Sequence, residues 1–346
     1  MKPRHPDSLT TENTEHIEKI KYQNLCVLCG EMLLLTTEER SVLRWKELVL
    51  MPEPATILAH DGHVNSVLFT PDGEALLSAG MDASVNVWSV PSWEAVGSLE
   101  GHDNSVNALA FIPDGRLVAS GSTDTTVRLW SFPEGKSLHT LTGHKKTVAA
   151  LQITPDGRYL ASASYDGQVR LWSLPNGADA GLLQKRGDNV GSLAFSADGK
   201  LLASAGLGDE VMLWYVPSGS AAGRLPGHGP AANCLAFSPD GSFLTSAAYG
   251  QGVKVWSTAT WDEIVSIPIK GRGAHALAIS PDSKLLAITS EHSLLLFSAD
   301  DGSLAASAGV KPKGVYGVAF SPDAKYLAVS AADSRVRVWE TAKLLT

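Results

Sequence analysis

Serine, histidine and aspartate together are the side chains of nucleophilic acyl transfer, and this chain carries that set repeatedly. His60, Ser78 and Asp82 come first, followed by Trp88; His102, Ser120, Asp124 and Trp130 come next; His144, Ser162, Asp166 and Trp172 follow. Each member recurs 42 residues on. A catalytic triad needs one exposed nucleophile beside one oxyanion hole. A set copied at a fixed step belongs to a repeated structural unit, so no catalytic residue is assigned. Other chemical signatures fail as well. Gly135-Lys136-Ser137 ends like a phosphate loop, but Trp130 stands where the first glycine belongs. Gly206-Leu207-Gly208 lacks the third glycine of a dinucleotide turn, and no Gly-x-Ser-x-Gly elbow occurs. Cys26-Val27-Leu28-Cys29 has metal-site or redox spacing without the second Cys or His pair that zinc needs. No cofactor or metal is expected.

The elements that carry these residues are short strands. The clearest copy runs from Gly101 to Ser131 and holds three alternating apolar runs, Val106–Phe111, Leu117–Ser120 and Thr126–Trp130. Pro113-Asp114-Gly115 separates the first two and Thr123-Asp124-Thr125 the second and third, both with tight-turn composition. From Trp88 the closing aromatic recurs at Trp130, Trp172, Trp214, Trp256, Phe297 and Trp339, at intervals of 42, 42, 42, 42, 41 and 42 residues. The first turn repeats its Asp at 72, 114, 156, 198, 240, 282 and 323. Seven strand-rich units at this period predict a radial β array, because one such sheet cannot bury both faces alone.

The Gly-His start, the turn Asp and the closing Trp of these copies resemble the WD-repeat β-propeller family over roughly Pro54 to Glu340. The resemblance implies an all-β chain: a seven-bladed propeller of four-stranded antiparallel blades, with strands a to d counted outward from the axis. It also implies closure by an N-terminal strand pairing with the last blade. Ala55–Ala59 aligns with the outer strand Val96–Glu100, whereas the last set, Val315–Glu340, has only Thr341–Thr346 behind it. The propeller is assigned to residues 54–346. Residues 1–53 form an extension, partly disordered or helical, with a capping-box signal at Thr36-Thr37-Glu38-Glu39. An alternative start at Met51 leaves the propeller whole.

In this family the His, Ser, Asp and Trp positions form a buried polar network, which the resemblance carries to the three complete sets above; whether Ser120 or Ser122 takes part stays open. Blade four opens with Lys185-Arg186-Gly187, blade five has Gly250 for Asp, blade six has Phe297 for Trp, and blade seven has Lys311 for His. The networks are therefore expected whole in blades one to three and broken in four to seven.

Composition bounds the function. A net charge of −8 disfavours non-specific binding to nucleic acid or anionic membrane, and no run of 18 apolar residues predicts a membrane span. Three cysteines without a framework fit a reducing, cytoplasmic setting. The resemblance implies a non-enzymatic scaffold binding a protein or peptide partner, within a larger complex. The family's usual binding face carries the d–a loops and b–c turns. Its candidates here are His63, Asn65, Met81, Asn107, Tyr165, Asn233, Tyr249, Arg272, His275, Lys313 and Tyr316. Lys145, Lys146, Lys185, Arg186, Lys270, Arg272, Lys311 and Lys313 make a basic arc suited to an acidic partner, opposite Asp61 and Asp103. The alternatives are a propeller enzyme or cofactor carrier using His63, His275 and Tyr316, and a nucleic-acid binder. The arc lacks the interleaved aromatics that nucleic acid would favour.

Overall fold

Each repeat alternates runs of Val, Leu and Ala with two turn signals, and each run folds as a strand. The computed structural model describes residues 53–185, 189–208, 210–226, 232–269, 273–310 and 314–346. The chain divides into two units at Leu50–Met51, and the second holds every element below. The Cys26/Cys29 pair and the helix signal at 36–39 lie outside the described residues.

Seven four-stranded antiparallel sheets result. Blades one to six span residues 64–99, 106–141, 148–185, 190–225, 232–267 and 276–309, each in simple a-b-c-d order. Blade seven takes strands a to c from residues 315–340 and its outer strand, β1 (Ala55–Leu58), from the front of the chain. Ala55 pairs with Val338 and Leu58 with Arg335. The six residues behind the last strand hold a helical turn, α1 (Thr341–Leu344), whose Leu344 is buried. The ring closes as the repeat phase implied.

The a–b turns show why Asp is fixed. Thr70 Oγ1 donates to Asp72 Oδ1 at 2.6 Å, and the same oxygen accepts from Glu74 N at 3.0 Å. Ser196–Asp198, Ser280–Asp282 and Ser321–Asp323 repeat the bond. These bonds hold the turn carboxyls below their usual range; Asp323, bonded by Lys325 and Ser321, falls to about 2. Gly115 takes a φ of +74° at the tip, which a side chain resists.

Burial follows layer position. Strand b of blade two is buried at all six residues, while strand d is exposed except for Leu141. Each of the seven apolar clusters straddles a junction between neighbouring blades. Leu77, Val85 and Leu99 of blade one, for example, meet Val106, Leu109 and Trp130 of blade two. The seam cluster is built the same way, with Ile57 and Val338 against Val64, Leu76 and Trp88. No junction is left as an open edge, which is what makes four thin strands per unit sufficient.

Candidate interaction face

The Ser-His-Asp sets turn inward, not to a substrate. His102 Nδ1 lies 2.6 Å from Asp124, His102 Nε2 lies 2.7 Å from Ser120 Oγ, and Trp130 Nε1 donates to that Oγ at 2.8 Å. Blade one has His60–Asp82 at 2.9 Å, His60–Ser78 at 2.8 Å and Trp88–Ser78 at 3.0 Å. Blade three has His144–Asp166 at 3.2 Å, His144–Ser162 at 2.8 Å and Trp172–Ser162 at 2.9 Å. A carboxylate only accepts and an indole only donates. The imidazole therefore gives Nδ1–H to Asp and accepts the Ser hydroxyl at Nε2, while Ser accepts from Trp. Every member is satisfied, so none is a free nucleophile.

The same Asp receives a backbone N–H from the d–a loop: Asp61 to Asp82 at 2.9 Å, Asp103 to Asp124 at 3.1 Å and Lys145 to Asp166 at 2.7 Å. The network thus reaches the loop face. Burial raises these carboxyls, but the net shift is downward: the loop N–H leads at Asp82 and Asp166 and the Thr126 hydroxyl at Asp124, with the imidazole adding to each. For His102 and His144, burial outweighs the carboxylate and lowers the imidazole below its ordinary value. Ser120, not Ser122, is the network serine; Ser122 Oγ donates to Asn104 O and accepts from Asp124 N.

In the later blades the loss is graded rather than uniform. Trp214 still donates to Ser204 at 2.9 Å and Trp256 to Ser246 at 2.7 Å. Blade six pairs Leu286 with Phe297, and its serine position is Ile288. Blade seven has Val329 there, and its Asp333 meets Arg337 at 2.6 Å.

Around the axis the first residues of strand a line a cavity of about 920 Å³. Asn65, Asn107 and Asn233 all reach it, but their amides are engaged between blades. Asn65 Nδ2 donates to Val106 O at 3.0 Å, Asn107 Nδ2 to Val148 O at 3.4 Å and Asn233 Nδ2 to Ala274 O at 2.9 Å. Each bond crosses to the following blade at one repeat position. Sequence reasoning placed these residues on the binding rim and missed the interblade bond; their recurrence at the repeat step was the available signal. The equivalent positions in blades three and four are Ala149 and Gly191, which have no amide to give.

One repeat position on this face carries apolar and aromatic side chains outward. Met81, Tyr165, Leu207 and Tyr249 occupy the residue before the b–c turn, with 51%, 42%, 56% and 46% of their surface exposed, and Tyr316 joins them at 37%. Tyr316 Oη lies 3.4 Å from His63 Nδ1, and Tyr249 stands edge-on to His275 at 5.6 Å between ring centres. His63, His275 and Tyr316 thus enter two different ring contacts. Burial, with Cys234, Tyr165 and Tyr316 nearby, pushes the Tyr249 phenol up. Cys234, whose Sγ donates to His275 O, is pushed up to about 12 by burial and is no nucleophile. Of the basic arc, Lys145 and Lys146 are exposed on the blade-three loop. Arg272, Lys313, Lys270, Lys311, Arg186 and the side chain of Lys185 lie outside the described residues.

A family model described as "WD domain, G-beta repeat" matches residues 52–89, 93–131, 135–173, 182–215, 219–257 and 308–340, more than half of the chain. The chain belongs to the WD-repeat family. These six matches skip residues 258–307, the stretch in which this WD-repeat chain has Phe297 for Trp and Ile288 for Ser. A curated relative, Ribosome assembly protein 4 of Saccharomyces cerevisiae (strain ATCC 204508 / S288c), is 30% identical over 87 residues. That stretch is 25% of this chain and 16% of the relative, so the likeness spans far less than either protein. Among the described residues of the WD-repeat chain, no helix is long and apolar enough to cross a membrane.

Proposed function

We propose that this chain is a non-catalytic, cytoplasmic scaffold that holds a protein or peptide segment on the d–a/b–c loop face of residues 54–346, with residues 1–53 as an extension. The observation that carries this reading is the half-exposed set Met81, Tyr165, Leu207 and Tyr249 at one repeat position, the last three of which line the cavity. Turn tips are ordinarily polar; exposed Tyr, Met and Leu clustered on one face mark a recognition surface. The rigid ring presents them at little ordering cost, which is the physical advantage of a propeller as a platform. Participation in assembling a larger particle, the activity in the yeast relative's name, fits this reading.

The test is affinity capture from the native host with the full chain and with a Tyr165→Glu/Tyr249→Glu variant. A stoichiometric protein retained by the parent and lost from the variant, at equal melting temperature, supports the loop face. Retention by both removes it. A second reading, an acidic partner drawn to the basic arc, is supported by the exposed pair Lys145 and Lys146. Charge reversal at Arg272 and Lys313 should then weaken the captured partner and flatten its salt dependence; unchanged binding rejects the arc.

A further inference from the structure

This inference rests on the loop-face reading and names the side chain that the face takes in. The axial cavity is not symmetric. Blades one, six and seven line it with strand-a residues alone, blade two adds the polar turn residue Thr123, and blades three, four and five add the turn residues Tyr165, Leu207 and Tyr249. The strand-a position that carries Asn65, Asn107, Asn233, His275 and Tyr316 in the other blades is Ala149 in blade three and Gly191 in blade four. A Cβ placed on Gly191 would find no atom within 4 Å. The channel therefore widens off-axis into a recess with a floor of small residues, walled by two phenols and a leucine.

The chemistry of the wall selects the occupant. Among the described residues the lining holds no Asp, Glu, Lys or Arg. Its titratable members are Tyr165, Tyr249, Tyr316, His275 and Cys234, and burial holds the Tyr249 phenol and the Cys234 thiol in their neutral forms. An ion entering the recess would shed water and meet no counter-charge. An aromatic or long aliphatic side chain would instead exchange its own apolar surface, and that of Tyr165, Leu207 and Tyr249, from water to contact. We propose that the recess over blades three to five takes the uncharged, bulky apolar side chain of a partner peptide, a Leu, Met, Phe or Trp, and rejects Lys, Arg, Asp or Glu at that position.

Gly191 provides a clean test, because a Cβ there meets no atom within 4 Å and a side chain at this position starts into open space. Short random peptides displayed on phage are selected against the full chain, and a selected peptide is then titrated by fluorescence anisotropy. The expected result is a shared uncharged apolar anchor. Affinity should fall by roughly tenfold or more on Gly191→Trp at unchanged melting temperature, and as far when the anchor is replaced by Lys or Glu. If Gly191→Trp lowers the melting temperature, Ala149→Met narrows the same recess from blade three and takes its place. A charged consensus anchor, or an affinity indifferent to both recess variants yet abolished by Tyr249→Glu, overturns the recess and leaves the loop face standing. Failure to select any binder, or binding indifferent to Tyr249→Glu as well, overturns both.

Discussion

Blades one to three and blades six and seven reach the same four-stranded sheet with different interiors. In the first group His, Asp, Ser and Trp form an unbroken run of hydrogen bonds from the d–a loop to the strand-c indole. In blade six the indole position is Phe297 and the hydroxyl position Ile288. In blade seven an Arg337–Asp333 pair lies beside Trp339. Strand order, antiparallel pairing and the apolar junction clusters are nevertheless common to all seven blades. The sheet is thus specified by alternating apolar residues and turns, and the polar run is an addition that fastens a loop to a finished blade. This agrees with the energetics: junction burial is non-directional and tolerates exchange, whereas a buried polar run helps only when complete.

If junctions carry the fold, the largest loss should come from the seam, whose outer strand is only four residues long. Ile57 is buried in the seam cluster, and Leu58 beside it is exposed. Ile57→Ala should cost about 2–5 kcal/mol in urea unfolding, while Leu58→Ala should stay within about 0.5 kcal/mol. Equal small losses at the two positions would mean that the seam does not hold the ring, and the comparison of blades would need another basis.

The polar run comes next in size. His102→Ala leaves Asp124 and Ser120 short of partners in a buried site and should cost about 1–3 kcal/mol. Ser246→Ala in blade five, where the indole bond survives without the turn Asp, should cost about 1 kcal/mol. Acid should show the same contrast. His102 and His144 are depressed in the fold, so protonation favours the unfolded chain and stability falls as pH drops through the ordinary histidine range near 6.5. The depressed carboxyls, Asp124, Asp166, Asp72 and Asp323 among them, stabilise the fold above about pH 4. That contribution is lost as pH falls further towards 2. Melting temperature should therefore decline in two steps on acidification, and His102→Ala should shrink the upper one. A single step below pH 4 would show that the histidines contribute nothing.

Much of this was legible in the sequence because the repeat supplies its own alignment. Seven recurring turn aspartates fixed the phase, and with the strand order that the family resemblance implies, that phase left Ala55–Ala59 without a blade of its own and the last blade short of a strand. The network followed from resemblance, but the serine inside it did not: Ser120 and Ser122 share one face of their strand, and only the height at which His102 meets it decides between them. The candidate face was legible as a list of positions, not as a shape. Asn65, Asn107 and Asn233 looked like rim contacts because a sequence shows residue type and not the carbonyl of the next blade. The recess escaped notice for the opposite reason. Ala149 and Gly191 carry no functional group, and their meaning lies in the space that their neighbours' equivalents fill.

That space sharpens the comparison between blades at the smallest energetic scale. The interblade amide bond is present from blades one, two and five and absent from three and four, where the recess opens. Asn65→Ala and Asn233→Ala should each cost about 0.5–1.5 kcal/mol, the worth of one hydrogen bond. Ala149→Asn should recreate the bond towards the following blade and gain up to about that amount, while narrowing the recess. The measurements are urea unfolding and peptide titration on the same variant. Higher stability with weaker binding would show that blade three gives up a fastening in order to keep an opening, the usual exchange between stability and function. A variant that gains stability and binds as tightly would place the opening elsewhere on the face, and one that loses stability would show that the repeat position does not carry the bond.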